Sequence, residues 1–138
     1  MPDAGYSGTP LAAKLGIRPE SSVRLVGAPA GAEDLLAPLP SGAVVRRAGA
    51  LRADVVVLFT TTRADLARRI DALGEAVFPD GSLWVAWPKR SSGVATDLTE
   101  DVLREVALPL GLVDNKVCAV TDVWSGLRLV WRKERRTR

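Results

Sequence analysis

Ala53-Asp-Val-Val-Val-Leu-Phe59, the segment 60–77, and then Phe78-Pro-Asp-Gly-Ser-Leu-Trp-Val-Ala-Trp-Pro88 decide the fold. Both apolar runs are short, rich in β-branched and aromatic residues, and bounded by turn formers, the pattern of a strand buried on both faces. Between them Leu66, Ile70, Leu73 and Val77 recur at helical spacing. Arg63, Arg68, Arg69, Asp71 and Glu75 fall on the opposite side, which predicts an amphipathic helix with a solvated charged face. Thr62, with Asp65 three residues on, supplies a capping-box start. Strand, helix and strand in that order make a β-α-β unit, so the chain is an α/β protein on a mostly parallel sheet.

Toward the N-terminus, Thr9-Pro10-Leu-Ala-Ala-Lys-Leu15-Gly16 carries an N-cap residue, Pro at the first helical position and Gly past the end, which predicts a short helix. A Gly5-Tyr-Ser-Gly8 arm precedes it and is expected to be mobile. Val23-Arg-Leu-Val26 reads as a strand closing on Gly27-Ala-Pro-Ala-Gly31, followed by a helix over 32–37 that stops near Pro38 and Pro40. Ala43-Val-Val-Arg46 is a second strand, expected at an edge.

Toward the C-terminus, a polar loop over 89–96 leads to Thr99 as N-cap, with Glu100 and Asp101 in the first helical turn. Val102, Val106 and Leu110 are the predicted buried stripe, and Pro109 ends or kinks the helix. Val113 to Thr121 and Leu127 to Trp131 are expected to pair as an antiparallel hairpin around 122–126, with Leu127, Leu129 and Trp131 inward and Arg128, Val130 and Arg132 outward. No internal repeat is visible.

At 138 residues and 47% hydrophobic content, the chain is long enough for one domain with a core of its own. Residues 1–132 are assigned to that domain, with 1–16 as arm and short helix, and 133–138 as a basic tail. The absence of histidine excludes Ser-His-Asp and Cys-His nucleophiles and histidine-containing metal sites. Cys118 has no partner for a disulfide and is read as a small buried hydrophobe. With no charged-then-apolar leader and no long apolar run, the chain reads as cytoplasmic, without a membrane partner. Arg132, Lys133, Arg135, Arg136 and Arg138 against Glu134 contribute +4 to the net +3, leaving the rest at −1. Such a local charge argues against a general nucleic-acid surface and leaves the tail as the one segment for such a contact.

If the strand at Val44 lies on one side of the strand at Val23 and the strand at Val55 on the other, the sheet has a topological switch point, where α/β folds bind ligands. The loops 27–31, 59–62 and 88–93 should then face one crevice. The candidate binding residues are Gly27, Pro29, Gly31, Thr60, Thr61, Lys89, Arg90, Ser91 and Ser92. Trp87-Pro-Lys-Arg-Ser-Ser-Gly93 offers two cations and two hydroxyls to a small anion, or is an ordinary solvated loop. Gly27-Ala-Pro-Ala-Gly31 lets a ligand approach the backbone, or simply gives a tight strand-to-helix turn. A nucleoside would want a carboxylate after the second strand, where Val45-Arg-Arg-Ala-Gly49 has two cations. No catalytic residue and no metal ligand is assigned; Asp97, Glu100 and Asp101 are read as helix-start residues. Trp84, Trp87, Trp124 and Trp131 are read as packing, with an exposed interaction role as the alternative for Trp124.

Asp54-Val-Val-Val-Leu-Phe59, the helix with Leu66 and Leu73, and Phe78-Pro-Asp-Gly-Ser-Leu-Trp-Val85 resemble the second half of class I S-adenosylmethionine-dependent methyltransferases. There an aspartate-led strand, a helix and a "Pro-Gly-Gly-leucine" strand are followed by a closing antiparallel hairpin. The resemblance implies a Rossmann-like three-layer α/β sandwich, mostly parallel with a C-terminal antiparallel hairpin, and S-adenosylmethionine as the cofactor to test. The sequence departs from the family in three places: the Gly-rich first loop is reduced to Gly27 and Gly31, the acidic residue after the second strand is missing, and one strand-helix unit is deleted. Gly5-Tyr-Ser-Gly-Thr-Pro-Leu11, Leu83-Trp-Val-Ala-Trp-Pro-Lys89, Thr96-Asp-Leu-Thr-Glu100, Val117-Cys-Ala-Val120 and Trp124-Ser-Gly-Leu127 also resemble a small bacterial family of unknown function, which implies a free-standing domain. The resulting expectation is a methyltransferase-like domain without catalysis, binding a small anionic or nucleoside-like ligand or serving a regulatory role. A homodimer formed across an open sheet edge is part of it. The alternatives are a reduced methyltransferase, with Lys89 or Asp97 positioning substrate, and a nucleic-acid contact through the tail.

Overall fold

The computed structural model describes residues 9–48 and 52–137; the Gly5–Gly8 arm lies outside them. Six strands form one sheet: β1 (Ser22–Val26), β2 (Val44–Arg46), β3 (Val55–Phe59), β4 (Ser82–Pro88), β5 (Leu112–Ala119) and β6 (Trp124–Trp131), in the order β2-β1-β3-β4-β6-β5. β2, β1, β3 and β4 run parallel, and β6 adds antiparallel to β4 with β5 outside it. The helices are α1 (Leu11–Lys14), α2 (Ala32–Leu35), α3 (Arg63–Val77) and α4 (Glu100–Ala107). This is the expected Rossmann-like sandwich, with the antiparallel hairpin at its C-terminal end. The strand order reverses at β1, so the switch point lies between β1 and β3 as the sequence implies.

Every residue of β3 and β4 is buried, because helices cover both faces of the sheet centre. Leu66, Ile70, Leu73 and Val77 of α3 and Leu103 and Ala107 of α4 pack on one face against Val56, Leu58, Leu83, Val85, Leu127 and Leu129. Ala12 and Leu15 near the N-terminus and Ala32 and Leu36 pack on the other, against Leu25, Val57 and Trp84. The Trp84 indole is fully enclosed there and donates to the Leu15 carbonyl at 3.0 Å, which ties the end of α1 to the sheet centre. α3 starts as the sequence predicts: Thr62 Oγ1 accepts from the Asp65 amide at 3.1 Å. Thr99 does the same for α4 through the Val102 amide at 3.2 Å.

Several local expectations shift. Pro10 precedes α1 in an extended conformation rather than opening it, and no side chain caps the helix. The buried line of α4 is Leu103 and Ala107, while Val102, Val106 and Leu110 are partly buried beside it. The five apolar positions form one wide face, and its most deeply buried side is the Leu103 and Ala107 line adjoining the predicted stripe. The hairpin turn is tighter than 122–126: Thr121 Oγ1 accepts from the Val123 and Trp124 amides, both at 3.1 Å, and β6 already begins at Trp124. Trp124 is therefore no free interaction residue; its ring stands edge-on to Phe59, 5.1 Å between centroids. Cys118 is half-buried rather than enclosed, and burial pushes its thiol up. The basic end folds back: Lys133–Arg135 form a 3-10 turn, and Arg136 Nε donates to the Trp131 carbonyl at 2.8 Å.

The connection from β2 to β3 covers only residues 47–54, and no helix occurs among its described residues. A parallel crossover ordinarily takes a dozen residues or more. The missing strand-helix unit expected from the sequence is thus seen as a single strand outside β1 where doubly wound sheets commonly carry two.

Candidate functional site

At the carboxyl tips of β1 and β3 the backbones nearly touch. Gly27 has φ +66°, and a Cβ there would lie 2.7 Å from the Phe59 carbonyl oxygen. The glycine is required by strand packing alone, which favours the tight-turn reading of this loop. Gly31, at φ +82°, turns the chain into α2 with open space around it.

The loop between these glycines is held from outside by a residue that the sequence reading noted only as a misplaced cation. Arg47, just past β2, donates from Nη1 to the Ala28 carbonyl and from Nη2 to the Pro29 carbonyl, both at 2.8 Å. The same guanidinium grips Glu33 through both carboxylate oxygens, at 2.7 and 3.0 Å. The hydrogen bond from Arg47, aided by the residue's own amide, holds the Glu33 carboxyl down at about 2. One planar fork thus engages two carbonyls and a carboxylate.

Of the two threonines after β3, Thr60 is committed internally through its hydroxyl and Thr61 through its carbonyl. Thr60 Oγ1 donates to Asp65 Oδ2 at 2.7 Å, and the Thr60 amide donates to the Ala86 carbonyl at 3.0 Å. Asp65 in turn accepts from Arg69 Nε at 3.0 Å and from Arg68. The Thr60 hydroxyl first, and then Arg69 and Arg68, lower the Asp65 carboxyl. The Thr61 carbonyl accepts from Thr96 Oγ1 at 2.6 Å, and Asp97 Oδ1 accepts from the Arg63 amide at 2.7 Å. Asp97 therefore caps α3 from across the loop, and Glu100 and Asp101 pair with Arg104.

The loop after β4 is anchored where the Lys89 amide donates to the Val123 carbonyl at 2.7 Å. Ser92 Oγ donates to the Lys89 carbonyl at 2.6 Å, closing the 3-10 turn Arg90–Ser92. Arg90 and Ser91 are exposed, and neither Lys89 nor Arg90 has a carboxylate partner among the described residues. Arg90 lines an open groove of about 690 Å³ together with Trp87, Thr96, Thr99 and Arg104.

The nine candidate residues thus fall into three places. Gly27, Pro29 and Gly31 lie in the loop clamped by Arg47; Thr60 and Thr61 lie in the strand-to-helix junction after β3; and Lys89 to Ser92 lie in the loop after β4, where Arg90 reaches the groove. A second wide cleft, of about 740 Å³, lies at the opposite end of the sheet and includes none of the nine. Among the described residues no cluster of three or more His, Cys, Asp or Glu could hold a metal ion. None of the described helices is long and apolar enough to cross a membrane.

An adenosyl cofactor held through its ribose needs a carboxylate at the end of β2; here Arg46 closes the strand and Arg47 follows, and Arg47 covers the carbonyls of the first loop. The residues present do not fit that mode of binding.

No protein-family model matches the sequence, and no curated protein does. The resemblance to a small bacterial family therefore has no support. Solved structures do match in fold. A SAM-dependent methyltransferase from Aquifex aeolicus superposes with a TM-score of 0.59 at 12% identity, over 86% of each chain. Magnesium protoporphyrin IX methyltransferase from Synechocystis, with bound SAM, gives 0.57 at 14% identity, over 88% of this chain and 74% of the other. Aeropyrum pernix fibrillarin with bound S-adenosyl-L-methionine gives 0.59 at 12%, over 87% and 73%. At such identities the likeness is one of fold.

Proposed function

We propose that this chain is a binding or regulatory module on a methyltransferase fold, without methyl-transfer activity of its own. The observation that carries the reading is the Arg47 clamp: the loop carbonyls at Ala28 and Pro29 and the carboxylate of Glu33 are taken up by a side chain standing where the fold's nucleoside partner would be a carboxylate. The contact surface belongs to the other side of the switch point. There Lys89 and Arg90, with Ser91, present unpaired positive charge on a short anchored turn, suited to an anionic group on a partner or small molecule.

The second reading, a reduced methyltransferase using Gly27 to Gly31 for the cofactor, draws on the fold likeness to structures with bound SAM. Thermal melts with excess S-adenosylmethionine and S-adenosylhomocysteine separate the two. Ligand at ~100 times its dissociation constant adds about 2.7 kcal/mol, a rise of several degrees for a domain this size. The module reading expects no rise. A clear rise, accompanied by methyl transfer that Lys89→Ala abolishes, would establish the enzyme instead.

A further inference from the structure

The cleft of about 740 Å³ opens at the amino ends of β1, β3 and β4, away from the switch point. Five cations line it: Lys14, Arg18, Arg52, Lys116 and Arg128. They come from the end of α1, the α1–β1 loop, the approach to β3, and facing positions of β5 and β6. None of the five forms an ion pair among the described residues, whereas Arg47, Arg63, Arg68, Arg69 and Arg104 are each paired with a carboxylate. The five cations gathered at this cleft are thus without ion-pair partners among the described residues.

Two of the five brace the walls through neutral acceptors. Arg52 Nη1 donates to the Phe78 carbonyl at 2.8 Å, and Lys116 Nζ to the Lys14 carbonyl at 3.2 Å. Such bonds orient a cation without cancelling its charge. Three carboxylates also line the cleft: Glu20, Asp54 and Asp80. Asp54 accepts the Ser22 amide at 2.8 Å, and the Glu20 carboxylate packs over Gly42. The balance remains positive by two charges. Arg128 sits opposite Trp84 on β4 and Lys116 on β5, and its Nε is closed to solvent with no acceptor. A desolvated donor on a charged group is costly to leave unmatched, and a local excess of like charge opposes folding. An oxyanion seated against the guanidinium offsets the charge excess.

We propose that this cleft is a binding site for a small phosphorylated anion carrying at least two negative charges, with Arg128 and Arg18 as the principal ligands and Lys14 and Lys116 supplying field. Phe78 is the one aromatic residue lining the cleft, so recognition rests on the phosphoryl group rather than on stacking of a base.

The test is calorimetric titration of the full chain with inorganic pyrophosphate at low and moderate salt. Saturable one-to-one binding is expected, weakened about tenfold or more by Arg18→Ala and by Arg128→Gln. The paired variant Lys89→Ala with Arg90→Ala should leave it unchanged, which keeps this site separate from the surface assigned above. If Arg128→Gln fails to fold, Arg18→Ala and Lys116→Gln carry the test, since both lie at the rim. No saturable binding, binding insensitive to Arg18→Ala, or binding lost only in the Lys89 and Arg90 variant overturns the proposal. A short single-stranded RNA that binds while pyrophosphate does not would also overturn it, in favour of a polymer surface.

Discussion

Gly27 and Arg47 act on one loop from opposite sides, and each makes a separate prediction. An alanine at 27 meets both a positive φ and the Phe59 carbonyl, with backbone on both sides of the contact and so little room to relax. Gly27→Ala is expected to destabilise the fold by about 2 kcal/mol or more, read from urea unfolding midpoints. Arg47→Ala is a different kind of change. Its ion pair with Glu33 is exposed to solvent and screened, so stability should change little. The Glu33 carboxyl, however, should rise from about 2 toward the ordinary glutamate range, stopping short of it because the residue's own amide still holds it down, as followed by NMR titration of that side chain. The sequence makes the tight turn at Gly27 readable, but not the carbonyl that demands it. The Arg47–Glu33 pair leaves no local trace, because its partners belong to different elements and meet only once β2 lies beside β1.

The helices show which features of an element can be read from order alone. Thr62 and Asp65 announce the start of α3, and the spacing of Leu66, Ile70, Leu73 and Val77 gives its buried face, because both signals lie within a few turns. The role of Asp65 exceeds that signal: its carboxylate accepts from Thr60, Arg69 and Arg68 and so ties the end of β3 to the first turns of α3. Its lowered pKa means that the folded state binds the proton less readily than the unfolded chain does. The stabilisation is therefore present above the ordinary aspartate value of ~3.9 and is lost as pH falls through the lower folded value. Asp65→Asn should lower the melting temperature at neutral pH, with the difference from wild type shrinking below about pH 4. A gap that stayed constant down to pH 2 would mean that the carboxylate's charge contributes nothing. The α4 stripe and the hairpin turn were harder to place. In and just after α4 two neighbouring apolar lines left the more deeply buried one undecided, and at the hairpin the Thr121 hydroxyl shortens a turn whose Asp122 to Gly126 composition suited a longer one.

For the whole molecule, layer order, the parallel core and the switch point were legible because one β-α-β unit constrains them. The wide cleft at the amino ends of the strands was not, since its cations are spread from Lys14 to Arg128 and converge only through the sheet register. The outermost strand has a consequence for motion. β2 is three residues long and pairs only with β1, and Val44 is nearly half exposed, whereas β3 is buried throughout and has a strand on each side. Local opening follows such differences in burial and pairing. The amide hydrogens of Val44 to Arg46 should exchange with deuterium well before those of Val55 to Phe59, resolved by mass spectrometry. The clamp on the first loop is thus rooted in an edge strand expected to open before the sheet centre. Each fraying of β2 loosens the root of Arg47 and leaves two carbonyls and a glutamate without their donor, open to whatever is dissolved nearby.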